Sequence, residues 1–333
     1  MTDLPVFYSF RRCPYAMRAR WALLCAGLMV KWREVMLKDK PAAMLDVSPK
    51  GTVPVLVLPD GTVIDESLPV MQWALQQADP RDLCRTDSPE QQALIQQLIE
   101  QNDTIFKHHL DRFKYIDRYP GESRLDHQRA GLSLLRSWSQ RIAHSGGWLL
   151  DGRCSLADGA LWPFVRQWRI ADPDGFDRDE TLAPLRLWLM RFLDDPSFER
   201  LMQRADPWHP GGLQPHFPAD AIEVTDDQVL FHLALMDDWR AATQAGVYRI
   251  STRGLSLDQV GFIHLSWREQ VATTHKRFYA DAGEVMVLCI DPSRLSAPLR
   301  ADATPSGELF PHLYGPLPLA AVNRATPYLN ADF

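Results

Sequence analysis

Of the five cysteines, Cys13, Cys25, Cys84, Cys154 and Cys289, one stands where sequence alone can make a thiol reactive. Cys13 follows Arg11-Arg12 and precedes Pro14-Tyr15-Ala16. Proline suits a first helical turn, where its missing N–H would have had no intrahelical partner. A cysteine at that point meets unpaired N–H groups and the positive end of the helix dipole, so its thiolate is favoured and its pKa is expected to fall. Such a thiolate attacks sulfur or an electrophile. Ala16 occupies the place of a dithiol centre's second cysteine, so a resolving thiol has to come from outside the motif. The other four cysteines are scattered, with no pair at zinc or dithiol spacing, and read as small buried apolar side chains. Neither structural disulfides nor a bound metal is expected.

Positioning Cys13 requires a strand before it and a helix after it. Residues 5–10 (PVFYSF) form an aromatic-rich apolar run, and a helix-like segment from Pro14 to Ala26 stops at Gly27, suited to a helix C′ position. A strand is expected around Trp32–Val35, then a loop at Leu37–Pro41. Val53–Leu58 reads as a strand entered through Pro54, joined by Pro59-Asp60-Gly61-Thr62 to Val63-Ile64 as a hairpin. A helix follows over Ser67–Gln77. The order β-α-β-(α)-β-β-α assigns residues 1–78 to a thioredoxin-like domain. After a polar linker, Leu94, Leu98, Ile99, Ile105 and Phe106 recur at helical spacings, and residues 88–205 read as an all-helical domain. Within it Ser155 is the expected N-cap of a central helix, with Asp158 in the reciprocal capping position. Four prolines and a Gly-Gly pair in Asp206–Ala219 forbid helix, so 206–228 is read as a linker. Strand-like runs at Val229–Leu233, Gly261–His264 and Val285–Ile290, with a helical piece near Ser266–Tyr279, make 229–330 a third, small α/β domain.

Two further features could hold a ligand beside Cys13. A cis Val53–Pro54 bond would turn the backbone of Val53 outward to pair with an extended peptide, although X-Pro bonds are seldom cis. Glu66-Ser67 sets a carboxylate beside a helix N-terminus, a pair that can accept an ammonium and donate to a carboxylate, the two groups at the γ-glutamyl end of glutathione. Lys40 could hold the glycyl carboxylate. With these residues in view, 1–205 resembles the glutathione transferase superfamily. Arg12-Cys13-Pro14-Tyr15-Ala16, with Arg18 and Arg20, is similar to its cysteine-dependent, omega-type branch, with Tyr15 in place of a common phenylalanine. The resemblance implies catalysis by Cys13 and glutathione contacts from Tyr15, Lys40, Val53, Pro54, Glu66 and Ser67. It also implies thiol transferase or dehydroascorbate reductase chemistry, with glutathione as co-substrate, and a homodimer. Conventional conjugation is the enzymatic alternative, and tyrosine-type activation from Tyr8 is weighed against a packing role. A non-catalytic binding module carrying the last domain is the alternative of another kind. Substrate-pocket candidates in the helical domain are Phe106, Phe113, Tyr115, Trp162 and Trp168, each more often simply a core residue.

The last segment resembles a small bacterial domain family of unknown function, DUF952, whose fold is similar to ADP-ribosyltransferases. The resemblance rests on Phe231-His232-Leu233, Gly261–Ser266, Arg277-Phe278-Tyr279 and Phe310–Leu317. His232, His264 and His312, with Ser266 and Tyr314, are candidates for a nucleotide-like ligand, or are simply histidines bonded within the core. The fold class implied throughout is multidomain α/β and all-α, ending in a small α+β domain.

Composition bounds the partners. The chain of 333 residues carries 36 Lys and Arg against 42 Asp and Glu, a formal net charge of -6, so a nucleic-acid partner is not expected. No apolar run approaches a membrane span, and the first residues do not read as a signal peptide. A cytoplasmic protein acting on small molecules is expected.

Overall fold

The computed structural model describes residues 3–329; Asn330, the expected end of the last domain, lies outside the described residues. The first unit runs β1 (Val6–Ser9), α1 (Pro14–Cys25), β2 (Val30–Glu34), α2 (Ala42–Val47), β3 (Val55–Val57), β4 (Val63–Ile64) and α3 (Ser67–Gln77). Strands β1 and β2 are parallel, β3 is antiparallel to β1, and β4 to β3. Gly27, at φ 71°, takes the left-handed conformation that ends α1. The strand expected at Trp32–Val35 begins two residues earlier.

The helical unit contains α4 (Pro89–Glu100), a π-helical turn at Gln101–Phe106, α5 (Lys107–Lys114), α6 (Arg124–His144), α7 (Leu156–Ala171), α8 (Pro173–Arg178), α9 (Ala183–Leu193) and α10 (Pro196–Leu201). The capping box expected at the start of α7 forms, and it does more than cap. Asp158 Oδ2 accepts from Ser155 N and Oγ at 2.9 and 2.6 Å, while Oδ1 accepts from Leu149 N at 2.9 Å and Trp188 Nε1 at 2.8 Å. One buried carboxylate thus holds a helix start, a preceding loop and α9 together.

One apolar core runs from Phe7 of β1 through α1 into α7 and α9. Its closest approach is at Gly159, where a Cβ would fall 2.0 Å from the Trp21 ring. Glycine there is what lets α7 lie against α1. Of the aromatic residues named as pocket candidates, all but Tyr115 belong to this core, and Trp162 also lines a cavity. Phe106, Phe113, Trp162 and Trp168 are all 0–1% exposed, and Phe113 stacks on Trp168 with centroids 4.6 Å apart. Their helical spacing marked packing.

The segment read as a linker is structured on both sides of the junction. In it, β5 (His216–Phe217) pairs antiparallel with β2 and completes a sheet of order β4-β3-β1-β2-β5. Next comes β6 (Ala221–Glu223), which pairs with a strand of the last domain. Prolines exclude helix but not a short edge strand, where a missing N–H costs little.

The remaining elements are β7 (Leu230–Leu235), α11 (Met236–Ala245), β8 (Val247–Tyr248), β9 (Ile250–Thr252), β10 (Leu255–Ser256), α12 (Leu257–Val260), β11 (Ile263–His264), α13 (Val271–Phe278), β12 (Val285–Ile290), β13 (Leu299–Ala303), β14 (Leu309–Leu313), β15 (Leu317–Pro318) and β16 (Val322–Pro327). They form small sheets of order β11-β14-β13-β6 and β16-β12-β7. Of the strand expected at Gly261–His264 only Ile263–His264 forms, because Gly261 at φ 98° caps α12. This domain rests on the turn after α1: a Cβ at Gly27 would fall 2.1 Å from Tyr314 Cγ, and Arg300 donates to Leu28 O at 3.0 Å. No helix among the described residues is long and apolar enough to cross a membrane.

Candidate functional site

Cys13 is the residue at which the chain turns from β1 into α1. It is the N-cap of α1 in extended conformation, with Pro14 in the first turn. Its own N–H donates to Phe10 O at 3.0 Å, which tightens the turn and leaves the side chain facing a cavity of about 830 Å³. Tyr15, Lys40, Val53, Pro54, Glu66 and Ser67 line the same cavity. The Val53–Pro54 bond is cis, and Cys13 Sγ donates to Val53 O at 3.8 Å.

The protonation of Cys13 differs from expectation. The thiol is partly exposed, yet burial pushes its pKa up; the N–H groups of Ala16 and Tyr15 and the charges of Lys107 and Arg18 pull it down, and burial prevails. The helix terminus acts as expected, but the apolar cluster that Cys13 packs against outweighs it.

Other lining residues are already engaged with one another. Glu66 is paired with Lys50 Nζ at 3.0 Å, and Lys50 also reaches Asp65. Ser67 Oγ accepts from Arg18 Nε at 2.9 Å. Arg18, 2% exposed, donates to both carboxylate oxygens of Asp103 at 2.8 and 2.7 Å. Asp103 lies in the π-helical turn, so this two-point pair ties the helical unit to the cavity floor. Lys40 lies over Gly51, whose added Cβ would be 3.5 Å from Nζ. Tyr15 packs edge-on against Phe164, centroids 4.9 Å apart, with Lys107 Nζ 5.6 Å from its ring. Burial raises the Tyr15 phenol far above its usual range. Tyr8 is 2% exposed and its hydroxyl accepts from Arg33 at 2.5 Å; it does not line the cavity.

Sequence reading missed Lys50, Asp65, Asp103 and Lys107. A buried Arg18 requires a carboxylate partner, but nothing local points to a residue 85 positions away.

A second cavity, of about 550 Å³, is lined by His232, His264, Ser266, His312 and Tyr314 together with Asp195, Ser197 and Arg200 of the helical unit. His232 has both ring nitrogens engaged: Nδ1 donates to His264 O at 2.7 Å, so Nε2 accepts from Tyr248 OH at 2.9 Å. Burial lowers its pKa to about 4. His264 Nδ1 bonds Ser251 Oγ at 3.0 Å, and His312 Nδ1 donates to Asp302 at 3.0 Å. Among the described residues the Nε2 atoms of His264 and His312 have no hydrogen-bond partner, and Phe262 stacks on His312 at 4.0 Å.

Comparison with known proteins places the chain in a family. The family model "Glutathione S-transferase, N-terminal domain" matches residues 7–82, and "Protein of unknown function (DUF952)" matches residues 234–325. A probable glutathione transferase of Aplysia californica is 40% identical over 70 residues, covering 21% of this chain and 74% of that protein. Glutathione S-transferase omega-1 of Rattus norvegicus is 26% identical over 192 residues, covering 57% of this chain and 76% of the relative. In fold, glutathione transferase Omega 3C from Trametes versicolor superposes with a TM-score of 0.51 at 21% identity, over 63% of this chain and 88% of the other. The chain belongs to the glutathione S-transferase family and carries a DUF952 domain after its helical unit.

Proposed function

We propose that the protein is an omega-like, glutathione-dependent thiol transferase whose nucleophile is Cys13. The observation that carries this reading is the position of Cys13 Sγ at the start of α1, in a cavity also lined by Tyr15, Lys40, Val53, Pro54, Glu66 and Ser67. The two tyrosine hydroxyls that could activate a conjugating thiol do not compete well: that of Tyr8 is turned to Arg33, and Tyr15 resists ionisation.

In this mechanism glutathione lies along β3, its backbone pairing with Val53, which frees the Cys13 thiol from Val53 O. Its γ-glutamyl end meets Glu66 and the first turn of α3, and its glycyl carboxylate meets Lys40. With a glutathionylated disulfide as substrate, the Cys13 thiolate attacks the glutathionyl sulfur. The substrate leaves as a thiolate and Cys13 is left as a mixed disulfide. A second glutathione thiolate then attacks the glutathionyl sulfur of that disulfide, releasing oxidised glutathione and regenerating Cys13. Lys107 and Arg18 supply positive charge as the sulfur ionises. The same reading implies a homodimer acting on small molecules in the cytoplasm.

The test is glutathione-dependent reduction of a small mixed disulfide by wild type and Cys13→Ser. Loss of activity with trapping of glutathione on wild-type Cys13 supports the reading. Full activity in Cys13→Ser refutes it, and aryl-halide conjugation surviving that change would establish the conjugating alternative. For the second cavity we infer a small-ligand site in which His264 and His312 present their Nε2 atoms. His312→Ala that leaves binding of every nucleotide-like probe unchanged would count against it.

A further inference from the structure

We propose that His108, His109 and His127 bind a divalent first-row transition metal ion of the zinc class, outside both cavities. His108 and His109 lie in the first turn of α5, and His127 in the first turn of α6. One ligand atom from each lies within 4.8 Å of the other two; the Nδ1 atoms of His109 and His127 are 2.9 Å apart. The ring centroids of the three pairs are separated by 5.0, 5.6 and 5.2 Å. A tetrahedral ion with bonds of about 2.0–2.1 Å sets its ligand nitrogens roughly 3.3 Å apart. That spacing lies inside the range the three rings already span, and exposed His108 is free to adjust.

The surrounding groups favour an ion over a fortuitous cluster. His127 Nε2 is 2.7 Å from Glu122 Oε2. An ionised carboxylate only accepts, so Nε2 carries the proton, and in the neutral imidazole this leaves the Nδ1 lone pair on the side of His109. Glu122 is itself held by Arg112 Nε at 2.7 Å. A carboxylate orienting a histidine from behind is the arrangement that fixes metal-ligating imidazoles. Arg112 and Glu122 offset each other's charge beside the three rings. A neutral imidazole carries one ring-nitrogen lone pair, so His108 and His109 each have one to offer. His109 then needs only to move its proton from Nδ1 to Nε2. Water completes the fourth position. Such an ion would clamp α5 to α6 across the 115–123 connection, directly beside Lys107.

The experiment uses the full, untagged chain, stripped with chelator and titrated separately with Zn²⁺ and Co²⁺. One equivalent should bind, the Co²⁺ form should show the visible absorption of a tetrahedral centre, and bound Zn²⁺ should raise the melting temperature. His109→Ala and His127→Ala should abolish this, Glu122→Gln should weaken affinity about 10–100-fold, and His144→Ala at the far end of α6 should change nothing. If a buried-side variant misfolds by circular dichroism, the exposed-side variant His108→Ala decides between the outcomes. Absence of stoichiometric binding, or binding that survives His108→Ala in a folded protein, overturns the proposal.

Discussion

Arg200 of α10 donates to Asp302 Oδ1 at 2.5 Å, so the last helix of the helical unit is tied to β13 of the DUF952 domain. Asp302 also accepts from Arg300 Nε at 2.9 Å, His312 Nδ1 at 3.0 Å and Tyr314 OH at 2.6 Å. Burial opposes its charge, yet the His312 hydrogen bond and the Arg300 and Arg200 charges outweigh burial and hold the carboxyl well below the usual range. Two guanidinium groups share this carboxylate: Arg300, which also reaches Leu28 O, and Arg200, which also pairs with Asp220 at 3.0 Å. Asp302→Ala leaves Arg300 buried without a carboxylate and should cost about 3–5 kcal/mol. Calorimetry should show one transition for wild type and two for the variant as the last domain uncouples; the same number of transitions in both would refute the coupling.

His232 gives that domain a pH limit. Its imidazole takes up a proton near pH 4 when folded and near about 6.5 when unfolded. As pH falls from 6.5 to 4 the unfolded chain therefore binds more protons, and stability decreases by about 3 kcal/mol from this group. Above 6.5 both states are neutral and the contribution is constant. Melting temperatures between pH 4 and 7 should fall with acid, and in His232→Gln the slope should shrink although the variant starts less stable. An equal slope in both proteins would assign the acid sensitivity elsewhere.

What sequence could reveal follows from how local each signal is. Cys13, Pro14, Pro54 and the Ser155–Asp158 box act on their own neighbours, and their elements form as expected. The Arg18–Asp103 pair spans 85 positions and two structural units, so no window of sequence contains it. The pKa of Cys13 depends on an apolar wall assembled from several segments, whereas the helix-end effect is visible from one, and that is why the expected direction was reversed. Prolines in 206–219 disclosed the absence of helix but not β5, which exists because β2 offers it an edge.

Asp158 should be the costliest single carboxylate in the helical unit. Its four donors come from three segments. Asp158→Ala strands the Leu149 and Ser155 N–H groups and the Trp188 indole in a dry site. Each lost charged hydrogen bond is worth about 1.5–3 kcal/mol before relaxation, so the expected loss is about 3–5 kcal/mol, read from chemical denaturation followed by tryptophan fluorescence. Asp158→Asn keeps the acceptor that Trp188 and Leu149 use and should recover part of it. A loss below about 1 kcal/mol for the alanine variant would mean that water replaces the carboxylate.

The last prediction concerns the sulfur itself. Burial raises the Cys13 thiol, so its alkylation by iodoacetamide, followed at this residue by mass spectrometry, should climb with pH through an inflection above the ordinary thiol value of about 8.5. Lys107 pulls against burial, and its distance from the sulfur is set by the start of α5. Removing its charge in Lys107→Met should move the inflection higher and slow alkylation at neutral pH by a fewfold, without unfolding the protein. A bound S-methyl glutathione, which occupies Val53 without offering a thiol, takes away the acceptor that now holds the Cys13 proton. If it lowers the inflection, the site is completed by its co-substrate. An inflection below pH 7 in the free protein would show that the helix terminus outweighs the apolar wall after all.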